Sequence, residues 1–128
     1  MGLELRVRAA STNTLAWPAF RELLASQDCP VELRMIDSEL AFPDELPSAT
    51  WQEIRVGTES GMVTVRRDAG EIVAIIWGNA DAGLDQTWES ITWAVAELTG
   101  GFVQTGGGEE SAAEFRKIAE LPPAFHAG

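Results

Sequence analysis

Residues 51–101 read WQEIRVGTESGMVTVRRDAGEIVAIIWGNADAGLDQTWESITWAVAELTGG, and this stretch decides the fold. Three apolar runs, at 51–56, 62–67 and 72–77, follow one another across tight turns and give way to a segment of helical period. Asp68-Ala69-Gly70 reads as a three-residue hairpin loop with glycine at the left-handed position, so Arg67 is expected opposite Glu71. Val65 then faces Val73, and Val63 faces Ile75. With Thr58-Glu59-Ser60-Gly61 as the first turn, Ile54, Val56, Val63, Val65, Val73, Ile75 and Trp77 gather on one face. Trp51, Glu53, Arg55, Met62, Thr64, Arg66, Ile72, Ala74 and Ile76 fall on the other.

After the meander, Leu84, Trp88, Ile91, Val95 and Leu98 recur at spacings of 4, 3, 4 and 3, one stripe of a helix spanning about 83–99. Asp81 is placed to cap its start, and Gly100-Gly101 to end it. Burying five such side chains contributes on the order of 7 to 15 kcal/mol before entropy is counted, so this helix on the meander forms the main core. Upstream, Leu3, Leu5, Val7 and Ala9 alternate with polar positions as a strand near 3–9. Pro18 belongs in the first turn of a helix near 15–26, and Val31, Leu33 and Met35 mark a strand near 31–35. Downstream come a short strand near 102–105, a glycine turn at 106–108 and a helix near 110–121 packed through Ala112, Phe115, Ile118 and Ala119. The expected architecture is α+β, a mainly antiparallel sheet with helices packed on it. Residues 1–121 read as a single domain, and 122–128, after Pro122-Pro123, as a flexible tail. Residues 37–50 read as a long loop pinned by Leu40, Phe42 and Leu46.

Composition bounds the function more firmly than any motif does. Of 128 residues, 9 are Lys or Arg and 20 are Asp or Glu, a formal charge of −11. That acidity opposes a nucleic-acid backbone or an anionic membrane and favours a protein partner, a basic one above all. The N-terminal alternation is not that of a secretory signal, and no run reaches the roughly 18 apolar residues of a membrane span, so a cytoplasmic location is expected. The single Cys29 excludes an internal disulfide and suits a reducing compartment. With its one His, His126, in the expected tail, and one Cys, the chain is not expected to assemble a Ser-His-Asp or Cys-His constellation or a structural zinc site by itself, and with its only lysine, Lys117, on the last helix, Schiff-base chemistry is not expected either. Thr105-Gly106-Gly107-Gly108-Glu109-Glu110-Ser111 lacks the Gly-Lys-Ser/Thr ending of a P-loop and carries carboxylates where an anion would sit. No catalytic residue, metal ligand or cofactor is therefore assigned.

Two functional readings follow. The favoured one is a non-enzymatic protein-interaction or regulatory domain, of the general kind that neutralises bacterial toxins. It binds a protein partner, or its own copy as a homodimer, through Trp51, Arg55, Met62, Arg66 and Ile76. The alternative is a small-ligand or divalent-metal-dependent enzyme whose carboxylates lie at the strand–helix junction 79–89. Asn79, Asp81 and Asp85, with Glu89 one turn on, offer oxygen ligands there. Asn79 and Asp81 also make sense as turn and cap residues, which favours the first reading.

Overall fold

The computed structural model describes residues 2–9, 15–27, 29–42, 45–47, 51–68, 70–77, 82–105 and 108–119. In chain order they form β1 (Gly2–Arg8), α1 (Trp17–Ser26), β2 (Glu32–Ile36), β3 (Glu39–Leu40), β4 (Glu53–Thr58), β5 (Gly61–Asp68), β6 (Glu71–Trp77), α2 (Ala82–Thr99), β7 (Phe102–Thr105), β8 (Gly108–Ser111) and α3 (Ala112–Ile118). The strands build one eight-stranded sheet in the order β3-β2-β4-β5-β6-β1-β7-β8, and each neighbouring pair is antiparallel. The fold is α+β, with helices against an antiparallel sheet. The proposed cap residue Asp81, the neighbouring Asn79 and the 122–128 tail lie outside the described residues.

Two helical crossovers produce this order. β1 and β2 point the same way with β6, β5 and β4 between them, and α1 carries the chain across. α2 likewise joins β6 to β7, which run in one direction with β1 slotted between them. Each crossover therefore skips an odd number of strands, so neighbours remain antiparallel although the connections are helical.

The second hairpin corrects the expected register. Asp68 pairs with Glu71 and Arg67 with Ile72, leaving a two-residue loop in which Gly70 has φ +73°. Two-residue loops match the right-handed twist of the flanking strands, and here that preference prevails over the three-residue alternative. A slip of one residue turns every side chain of β6 over. Ile72, Ala74 and Ile76 therefore lie under the helices with Ile54, Val56, Val63 and Val65, while Val73, Ile75 and Trp77 point the other way. The first hairpin pairs Thr58 with Gly61, as expected.

One cluster of buried side chains joins that face of the sheet to Phe20 and Leu24 of α1, Ile91 and Val95 of α2, and Phe115 of α3. α2 sits centrally against α1 and α3, so it buries Trp93, Ala94 and Ala96 in addition to its expected stripe. Trp88 is half-buried, and its Nε1 donates to the Ala74 carbonyl at 2.8 Å. The last helix begins later than expected because Glu109 and Glu110 extend as β8. Ser111 then caps α3 by accepting from the Glu114 N–H, with its hydroxyl donating back to that carboxylate. Ile118 is exposed, not packed. The 37–50 segment also differs from expectation: Asp37 and Ser38 form a positive-φ turn into β3, and Leu40, Phe42 and Leu46 project outward, so they pin nothing.

A bare sheet face as candidate protein interface

The sheet is covered on one side. Among the described residues, all three helices join the core on the face of Ile72, Ala74 and Ile76, and none lies over the opposite face. Strand pairing arranges that open face in rows across β4, β5, β6 and β1. The first row sets Gly57 beside Met62 on β4 and β5, and Trp77 beside Gly2 on β6 and β1; the next is Arg55, Thr64, Ile75 and Glu4; the third is Glu53, Arg66, Val73 and Arg6. Val73, Ile75 and Thr64 at the centre are buried to 0%, 3% and 3% exposure, yet the main core cluster does not include them. Trp77 and Met62 stand in the open at 58% and 43% exposure.

The charged side chains of this face are arranged in pairs. Arg6 donates to Glu4 at 2.9 Å and to Glu71 at 3.1 Å, and hydrogen bonding to Glu4 is the main cause holding its guanidinium above the usual range. Arg6 and Arg66 share Asp68, at 3.6 and 3.4 Å; Arg8 pairs with Glu109, and Arg34 with Glu32 at 2.9 Å. A bulge between Leu33 and Met35 brings Arg34 onto this face, where its side chain fills the space a Cβ at Gly57 would need. Among the described residues, Arg55 and Glu53 are the charges of this face with no ion pair, and the Arg55 Nε is buried without an acceptor.

Charge is also unevenly divided between the two sides. Arg6, Arg8, Arg34, Arg55 and Arg66 face Glu4, Glu32, Glu53, Asp68, Glu71 and Glu109, so the open face carries a formal −1. The remaining 4 basic and 14 acidic residues give the rest of the chain −10. Of the residues expected to bind a partner, Arg55, Met62 and Arg66 lie together on the open face. Trp51 and Ile76 do not: both are buried in the core, Trp51 beneath the Arg67 guanidinium, whose Cζ stands 3.9 Å from its ring centroid. Trp77, Ile75 and Val73 replace Ile76 through the register shift, and Arg6 and Glu4 join because β1 inserts beside β6. The alternation of Glu4, Arg6 and Arg8 with Leu3, Leu5 and Val7 was the available sign that one side of β1 faces outward.

The carboxylate alternative fares differently. Asp85 and Glu89 are one turn apart on α2, and burial, with the Asp85 charge adding to it, pushes the Glu89 carboxyl above its ordinary value. Asn79 and Asp81 lie outside the described residues, and among the described residues no three His, Cys, Asp or Glu side chains come together as a metal-binding group. No described helix is long and apolar enough to cross a membrane. No family model, curated protein or solved structure matches the chain.

Proposed function

We propose that this chain is a non-enzymatic protein-interaction domain that docks another protein subunit on the open face of its sheet. The observation that carries the reading is the apolar centre of β5 and β6 with no helix over it among the described residues. Exposed Met62 and Trp77 mark it, and ion-paired arginines ring it. Aromatic, Met and Arg side chains are the ones enriched in protein interfaces. Two further facts support a binding role in the cytoplasm: the chain has a single His and a single Lys, and its one cysteine cannot close an internal disulfide. The net charge of −11 argues against nucleic acid as the partner.

A photo-crosslinking residue, benzoylphenylalanine, placed at Trp77 in cells tests this. Irradiation is expected to yield a discrete covalent protein adduct that the same residue at exposed Ala113, on α3, does not give. No adduct from position 77, or the same adducts from both positions, overturns the proposal.

A further inference from the structure

We infer that the subunit docked on the open face is a second copy of this chain, related by a two-fold axis lying in the interface and running along the strands between β5 and β6. This rests on the interaction reading above and names its partner. An axis so placed lays β5 over β6 and β4 over β1 of the other copy. In the middle row, Arg55 then meets Glu4 of the partner subunit; Thr64 and Ile75 are already buried within each chain. In the third row, Glu53 meets Arg6 of the partner subunit. In the first, Met62 meets Trp77 of the partner subunit.

The two charges of this face that lack an ion pair are therefore the two that gain one. Glu4 and Arg6 are already bonded to each other, so each copy presents to the other a ready-made pair of the complementary sign order. An axis across the strands along the middle row stacks Arg55 on its own copy; one running along β5 sets Arg55 on Ile75 and Glu53 on Val73, burying charges against apolar groups. One across the strands between the middle and third rows pairs Arg55 with Glu53 of the partner subunit but sets exposed Met62 against Asp68 of the partner subunit. Asp68 and Glu71, which the chosen axis brings towards each other, lie at the turn end of the face and are held by Arg66 and Arg6.

Charge and size agree with this occupant. Two copies approaching through any other surface bring together parts of a −10 remainder, whereas the open faces bring together −1 and −1. Strands about 4.8 Å apart and about 3.3 Å per residue make the patch from β2 to β7, which the axis lays on itself, roughly 24 by 23 Å. That is about 550 Å² a side and about 1,100 Å² in all, above the roughly 1,000 Å² of a specific interface. Symmetric dimers are also the commonest soluble assemblies.

Sedimentation equilibrium of the purified chain and its charge variants tests the axis. Wild type is expected at twice the chain mass; Arg55→Glu and Glu4→Arg are each expected to raise the dissociation constant at least tenfold, and the double variant to recover to within about threefold of wild type. Circular dichroism confirms that each variant is folded. Folded single variants that dimerise like wild type, or a folded double variant that does not recover, overturn the inference. Should a charge variant fail to fold, cysteines replace it: Arg55→Cys and Glu4→Cys, each with Cys29→Ser, are expected to form a mixed disulfide when combined and little disulfide alone, because the axis superposes these two positions and sets each about three strand spacings from its own copy. Disulfide in either variant alone at the mixed rate, or none in the mixture, contradicts the axis. A wild type that stays monomeric while Trp77 crosslinks to a different protein removes the homodimer and leaves the interaction domain. Absence of any crosslink removes both.

Discussion

Burial alters the behaviour of two charged side chains at opposite ends of the core. Arg67, on the helix side of β5, is buried, which lowers its pKa, while the Asp37 carboxylate pulls it back up. It remains a cation and uses that charge: Nη2 donates to the Leu15 carbonyl at 2.8 Å, and the guanidinium lies over Trp51. Nothing in Val65-Arg66-Arg67-Asp68 distinguishes the arginine that goes into the core from the one beside it except strand parity. Parity in β5 was legible. The contact with Trp51 was not, because it depends on where the chain enters β4. Glu89 shows the reverse shift. Desolvation, with Asp85 adding to it, raises its folded pKa above the unfolded value, so between the two values the native state holds the proton more tightly. Its effect on stability is therefore a loss that grows as pH rises through that window and is relieved on acidification. Glu89→Gln should melt higher than wild type at pH 7, and the difference should disappear below the unfolded carboxyl pKa of about 4. Thermal melts across pH check this; identical melting at neutral pH contradicts it.

At the scale of elements, turns and caps decided most of what was legible. Gly100 at φ +66° and the Gly101 N–H donating to the Ala96 carbonyl close α2 as the double glycine implied. A Cβ at Gly101 would lie 2.5 Å from the Arg8 carbonyl, so the second glycine also lets β1 approach. Gly70 was expected at positive φ and has it, yet the loop around it is one residue shorter than expected. Ile72-Val73-Ala74-Ile75-Ile76 is apolar at every position because β6 is buried on both faces, so no alternation was present to correct the register. Gly70→Val isolates the backbone part of this hairpin's stability, since nothing lies within 4 Å of the added Cβ. It should cost about 1 to 2 kcal/mol, the strain of a left-handed β-branched residue. Urea denaturation measures it, and an unchanged midpoint would contradict the positive φ. The late start of α3 was legible in principle from Ser111 and Glu114, three apart and before an apolar residue.

At the scale of the molecule, alternation, helix stripe and turn chemistry are local and declare themselves, which is why the α+β class could be read from the chain. Strand order is not local. The insertion of β1 between β6 and β7, which brings Arg6 and Glu4 to the open face, follows from how α1 and α2 share one side of the sheet, and no single segment encodes it. Among the described residues, the same packing puts no helix over the other side. The interface reading therefore joins residues 4, 6, 53, 55, 62, 64, 75 and 77 from four strands, of which the sequence assembled only those on β4 and β5.

In the inferred dimer two such faces meet along an axis between β5 and β6. The most direct measurement is an isotope-filtered nuclear Overhauser experiment on a mixture of ¹³C-labelled and unlabelled copies, which registers only contacts between chains. Filtered signals are expected from the Met62 methyl to the Trp77 ring, the two exposed side chains that the axis brings together. A dimer whose filtered signals come from other residues, or a chain that remains monomeric at the concentrations of the experiment, would contradict it.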